Sequence, residues 1–171
     1  MKHILIVGRN GVGKSTLIRA LLDEIPLSKY GVITKKEAAY DDGFCPVYIH
    51  LYGAEKRYTS ENRIGLCREG KSVAFPEVFD RFSDSMRFPS DGVIVFDELG
   101  FLETDAGRFT AAVMETLDRA PFVIAAVRDK DTPFLRAVRS HPRSVVYQID
   151  EQNRDVLREN LIRQLSERQE S

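Results

Sequence analysis

Residues 4–7, 93–96 and 122–127 are short apolar runs, almost unbroken and rich in branched side chains. Strands covered on both faces by helices have this composition, because neither face returns to water. Elsewhere the apolar residues are spaced as in helices. Leu17, Ile18, Leu21 and Leu22 share one face across residues 15–23, and Phe109, Val113, Thr116 and Leu117 share another across residues 105–119. A shorter helical pattern covers residues 76–85. Thr132 followed by Pro133 reads as an N-cap with proline in the first turn, opening a helix that runs to about Ser140 and is stopped by His141-Pro142. Residues 144–149 predict a further strand. Asp150 then caps a last helix through about Glu167, on which Leu157, Leu161 and Leu165 recur every four residues, and residues 167–171 are expected to fray. The alternation predicts an α/β fold built on a central parallel sheet.

The middle of the chain has another texture. Residues 31–34, 47–52 and 63–67 are short alternating segments separated by Gly, Asp and Ser turns, which predicts two or more strands, some antiparallel, as an edge or flap beside the main sheet. No repeat or linker interrupts the 171 residues, so one domain is expected.

Composition excludes more than it specifies. With 43% hydrophobic residues the chain can build a sizeable core, and 25 basic against 26 acidic residues give a net charge of −1. Without a basic field, nucleic acid is not an expected partner. Cys45 and Cys67 stand far apart in sequence without metal-ligand spacing, so free, at least partly buried thiols are expected. His3, His50 and His141 lack partners at such spacing too, and His3 is expected to pack beside the first strand. The chain opens directly on a strand, with no leader pattern and no apolar run of membrane-spanning length; a cytoplasmic location without a membrane partner is the expectation.

The chemistry is concentrated after the first strand, where Gly8-Arg9-Asn10-Gly11-Val12-Gly13-Lys14-Ser15 forms a complete G-x-x-x-x-G-K-[ST] loop between a strand and a helix. Glycines allow turns that bring successive amides onto phosphate oxygens, and the helix adds the positive end of its dipole at the same point. Lys14 is expected to reach the β- and γ-phosphates, and the Ser15 hydroxyl to ligate Mg²⁺. A nucleoside triphosphate is the expected ligand. The variable loop position Arg9 is free to face solvent or phosphate.

Residues 92–96 run into the acid pair Asp97-Glu98. Ligands of open α/β sheets bind beyond the carboxyl ends of the strands, which puts Asp97 near Ser15, holding Mg²⁺ through water. Glu98 is then expected to orient or deprotonate an attacking water. At the end of the next strand Arg128 could reach the γ-phosphate or remain a solvated loop residue. Arg57, Arg63, Arg68 and Lys71 in the middle region could close over a nucleotide or form a solvated face.

These segments together resemble the small nucleoside-triphosphatases of the thermophile-type, or cancer-related, family. The likeness runs through GRNGVGKSTLI, YGVITKKE, GFCPVYIHL, VIVFDELGFLE and DEQNRDVL. It implies a three-layer P-loop sandwich with a mostly parallel sheet and a few antiparallel strands, and Mg²⁺-dependent hydrolysis of NTPs with broad tolerance of the base. Carried over by position, it puts the phosphate loop on Gly8, Arg9, Asn10, Gly11, Val12, Gly13, Lys14, Ser15 and Thr16. It puts the acid pair on Asp97 and Glu98, and nucleotide-facing roles on Asn153 or Arg154, which would otherwise pass for the first turn of a capped helix. Gln152 replaces an acid beside these last two. Two further departures stand out: Phe101 replaces a lysine after the Asp-Glu-x-Gly segment, and residues 68–73 match only loosely.

Two alternatives share the loop. A nucleotide or nucleoside kinase would use the middle arginines to clamp an acceptor. A slow, nucleotide-dependent binding module would use the triphosphate to order a surface for a protein partner that the sequence does not identify.

Overall fold

The computed structural model describes residues 2–169. Eight strands form one sheet in the order β5-β4-β3-β2-β6-β7-β1-β8. Strand β1 (His3–Gly8) lies between β7 (Val123–Arg128) and β8 (Ser144–Gln148), and β6 (Gly92–Leu99) lies between β2 (Ser28–Lys36) and β7, all paired in parallel. The burial of β1, β7 and most of β6 accounts for their continuous apolar runs.

Helices cover both faces. On one, α1 (Lys14–Asp23) and α5 (Arg154–Gln169) pack together over Ile4, Ile6, Val93, Val95 and Ile124. On the other, α2 (Pro76–Phe82), α3 (Gly107–Arg119) and α4 (Pro133–Arg139) cover Leu5, Val7, Ile94, Phe96 and Ala125. The alternation of neighbours along each strand is the two-residue pleat separating two cores. Leu17, Ile18, Leu21 and Leu22 of α1 are buried, as are Phe109, Val113 and Leu117 of α3, while Thr116 is half-buried and bonds back to the Ala112 carbonyl. Thr132 caps α4 as expected, its hydroxyl accepting the Leu135 amide at 3.1 Å. Leu161 and Leu165 are buried on α5 and Leu157 is half-buried. The helix continues through Gln169; of the end expected to fray, residues 170 and 171 lie outside the described residues, as does Met1.

The middle region takes the edge form of the expectation and not the flap: β3 (Cys45–Leu51), β4 (Arg63–Arg68) and β5 (Lys71–Ala74) extend the same sheet to one edge in antiparallel fashion, while β2 is an internal strand parallel to β6. The alternating pattern identified the strands, but alternation does not say which neighbour supplies the hydrogen bonds. Cys45 and Cys67, distant in sequence, are cross-strand partners of β3 and β4, and both are free and half-buried. His3 is buried beside β1, with Nε2 2.7 Å from the Leu117 carbonyl and Nδ1 accepting the Val123 amide at 3.1 Å; burial holds its pKa below the usual histidine value. Among the described residues no helix is long and apolar enough to cross a membrane.

Helix α1 presents both Lys14 and Ser15, so its seating on the sheet sets their position. Leu21, fully buried in that interface, is expected to cost about 2–5 kcal/mol of unfolding free energy when replaced by alanine, measured by urea denaturation.

Candidate active site

The loop from Gly8 to Ser15 connects β1 to α1 in the two ways glycine permits. Gly11 and Gly13 have φ of 74° and 110°, in the left-handed region where a side chain is strained. At Gly8 the constraint is space: a Cβ there would lie 2.7 Å from Ile149 Cγ2 and 2.8 Å from the Ile149 carbonyl oxygen. Val12 is buried and anchors the loop on the core, while Arg9, Asn10 and Thr16 are exposed. The first turn of α1 holds no acidic residue and no side chain caps it, so the positive end of its dipole faces the loop without a protein anion of its own.

Lys14 is 4% exposed. Its ammonium donates to the carbonyls of Gly8 at 2.9 Å and Arg9 at 2.6 Å, and lies 3.2 Å from Glu98 Oε2. The Ser15 hydroxyl donates to Asp97 Oδ1 at 2.7 Å. The sheet order explains this convergence. Strand β7 runs between β1 and β6, with Arg128 opposite Gly8 in register and Val127 opposite Leu99. Between the Phe96–Ala125 and Leu99–Val127 pairs, β6 advances three residues while β7 advances two. That extra residue is a bulge at the position of the acid pair.

Arg128 bonds Glu98 Oε1 through Nε at 2.8 Å and Nη2 at 2.5 Å, so one carboxylate bridges Arg128 and Lys14. The Glu98 amide donates to Thr34 Oγ1 at 3.2 Å, tying β6 to β2. Phe101, where the resemblance implied a lysine, places its ring 5.9 Å from the Arg128 guanidinium. Burial pushes the Asp97 carboxyl above the usual range; the Ser15 hydroxyl opposes the shift and the Glu98 charge adds to it.

A cavity of about 420 Å³ opens here, with Ser15, Asp97, Glu98, Arg128, Asn10 and Arg68 on its wall. It also reveals a residue to which the sequence reading assigned no role. Glu103 is 2% exposed; its Oε1 accepts the Gly100 amide at 2.9 Å, and its Oε2 has no hydrogen-bond partner. Burial pushes this carboxyl up to about 7. The available signal was an acid following the apolar pair Phe101-Leu102 close behind a strand end, but local spacing does not distinguish a buried acid from a solvated one.

The other candidates, apart from Arg68 on the cavity wall, have partners elsewhere or stand exposed. Arg9 reaches Glu151 at 2.5 Å on the surface. Asn153 accepts the Asp150 amide at 2.9 Å and donates to the Gln148 carbonyl at 2.9 Å, while Asp150 Oδ1 accepts the amides of Gln152 and Asn153 at 2.8 Å each. This is the capped-turn arrangement; Arg154 follows it, exposed, at the start of α5. In the middle region Arg57 is 3.9 Å from Glu55, Arg63 donates to the Tyr40 hydroxyl at 3.3 Å, and Arg68 and Lys71 lie over the Phe44 ring at 4.5 and 6.0 Å.

The sequence pattern of the family described as NTPase matches residues 3–162. The chain is similar to the nucleoside-triphosphatase THEP1 of Thermotoga maritima, at 27% identity with 90% of each chain covered, and to that of Thermofilum pendens, at 28% identity with 96% of each covered. Its fold matches the crystal structure of THEP1 from Aquifex aeolicus with a TM-score of 0.62 at 20% identity, covering 95% of this chain and 98% of the other. It also matches the solution structure of a human cancer-related nucleoside triphosphatase with a TM-score of 0.63 at 23% identity, covering 95% and 96%.

A carboxyl raised by burial binds its proton more tightly in the folded than in the unfolded chain. The stability associated with protonated Asp97 is therefore present below the ordinary aspartate pKa and lost as pH rises through the raised one. Asp97→Asn keeps an acceptor for Ser15 and removes the ionised form. At neutral pH it is expected to stabilise the ligand-free protein by about 1 kcal/mol, a gain that disappears near pH 3 in pH-resolved thermal melts.

Proposed function

The chain belongs to the NTPase family, and from that premise we propose that it is a Mg²⁺-dependent phosphohydrolase cleaving nucleoside triphosphates, ATP and GTP among them, to diphosphate and phosphate. The observation that carries this reading is the meeting of Ser15 with Asp97 at 2.7 Å, beside a carboxylate that bridges Lys14 and Arg128. The name shared by the curated relatives, nucleoside-triphosphatase, supports the same chemistry.

The metal donors suit the proposed ion. Ser15 and Asp97 offer hard oxygens, and burial, which holds the Asp97 carboxyl high, outweighs the opposing charges of Arg19 and Lys14. Mg²⁺ prefers oxygen ligands and keeps several waters, so these two residues would hold it, Asp97 through a water molecule. When bound, the ion neutralises charge on the triphosphate oxygens.

The remaining roles belong to the chain itself. The loop amides from Gly8 to Thr16 and the open end of α1 receive the phosphates, and Lys14 contacts the β- and γ-groups. Glu98 is paired to both Lys14 and Arg128. Phosphate oxygens compete for Lys14 and Arg128, and that competition frees the Glu98 carboxylate to orient a water. The water oxygen bonds to the γ-phosphorus as the β–γ bridging bond breaks. The diphosphate leaves with the electron pair, and the water proton passes to Glu98. Arg128 then faces the charge developing on the γ-group. Asn153 and Arg154 are assigned here to the base of the nucleotide; that the Asn153 amide is engaged with backbone supports a pocket that discriminates little between bases. A cytoplasmic setting, without a nucleic-acid or membrane partner, completes the proposal.

A cavity of about 420 Å³ is roomier than one water requires, so transfer to a hydroxyl acceptor is the competing outcome. Phosphate release is measured with ATP, GTP, CTP and UTP, with and without added nucleosides and nucleoside monophosphates. Release independent of acceptor and similar among the four bases is expected, whereas diphosphate formed only with an acceptor and without free phosphate would replace hydrolysis by a kinase. Glu98→Gln is expected to lower turnover by about 10² or more while retaining Mg·ATP binding, and Lys14→Ala to weaken binding and turnover together. Undiminished release in Glu98→Gln removes Glu98 from the mechanism.

A further inference from the structure

Two residues beyond the resemblance's acid pair, the chain leaves β6 at Gly100 just ahead of the turn over 102–105, and the amide of that glycine points to a carboxylate the proposed mechanism leaves unused. Glu103 Oε1 accepts it at 2.9 Å. Gly100 immediately follows Leu99, the last residue of β6, so this bond holds the exit of the strand that carries Asp97 and Glu98. The other oxygen, Oε2, is buried without a partner and lies 3.5 Å from the point where a side chain at Gly100 would begin. Both residues line the cavity beside Ser15 and Glu98.

An ionised carboxylate with a bare buried oxygen is costly, and a protonated one much less so. We propose that Glu103 is a positioning residue of the site, held as a neutral carboxylic acid that fixes the turn after the acid pair without adding negative charge beside Glu98. The proposal rests on the hydrolase reading above.

The charged surroundings agree. Glu98, from β6, opposes ionisation of Glu103, and Arg128, from β7, favours it; Asp97, Arg68, Lys36 and Lys130 are the other charged groups on the cavity wall. Burial outweighs them all and pushes the group up to about 7. Loss of the proton has two consequences. The new anion competes with Glu98 for the Arg128 guanidinium, and it repels the phosphate that the same cavity receives.

The test compares phosphate release from Mg·ATP by the wild-type protein, Glu103→Ala and Glu103→Gln from about pH 6 to about pH 9. Alanine removes the acceptor for the Gly100 amide and is expected to lower release by about tenfold or more at every pH. Glutamine keeps an acceptor and no charge, so it is expected to restore release at pH 6. Above neutral pH the wild-type is expected to lose about tenfold that Glu103→Gln does not lose, the amide having no proton to give up. Parallel wild-type and Glu103→Gln profiles overturn the proposal, as does a folded Glu103→Gln protein no more active than Glu103→Ala.

A carbon-detected NMR titration of the Glu103 carboxyl in the wild-type protein needs neither a variant nor turnover. A midpoint near neutrality is expected, and one in the ordinary glutamate range overturns the proposal whatever the variants do. Absence of phosphate release by the wild-type at any pH defeats the hydrolase reading and the positioning role with it; a neutral midpoint would then establish only the buried acid.

Discussion

The buried ammonium of Lys14 is the constraint around which the rest of this site is arranged. A cation with 4% of its surface exposed must be compensated by its surroundings, since desolvating an unpaired charge costs several kcal/mol. Two loop carbonyls and one carboxylate oxygen do so here. The carbonyls are available because the loop folds back over its own lysine, which requires the left-handed glycines at 11 and 13. The carboxylate is available because a bulge in β6 sets Glu98 across β7 from the loop. Local conformation and sheet order thus meet in one ion pair.

The same arrangement carries an imbalance that favours ligand binding. Asp97 is raised by burial against the Ser15 hydroxyl and the charges of Arg19 and Lys14, Glu103 is buried with an oxygen lacking a partner, and the first turn of α1 holds no acidic residue of its own. Each is a small cost to the folded chain and each faces one cavity, apart from the helix end at its rim. Groups left imperfectly satisfied at a site by the fold are commonly those that a ligand completes. Glu98 stands apart from them, since two cations hold it.

What was legible from the sequence was local in origin. The phosphate loop could be read because strand, glycine spacing, lysine and helix all lie within a few residues, so no distant contact is needed to specify them. The continuous apolar character of β1, β6 and β7 betrayed their double coverage, and the capping of α4 by Thr132 followed from two adjacent residues. The place of Asp97 and Glu98 at a strand end was equally local, and there Asp97 accepts the Ser15 hydroxyl and Glu98 pairs with Arg128.

Tertiary structure decided what depends on which strands lie side by side. Alternation marked strands β2 to β4, but only hydrogen bonding to β6 makes β2 internal and decides between the expected edge and flap in favour of an edge of the same sheet. The cross-strand pairing of Cys45 with Cys67, the approach of Arg128 to Glu98, and the engagement of Asn153 with the backbone of its own turn all follow from register and chain reversal rather than composition. Glu103 is the clearest instance. A glutamate is ordinarily solvated, and only the packing around the turn after β6 removes its water and pushes its carboxyl above the usual range.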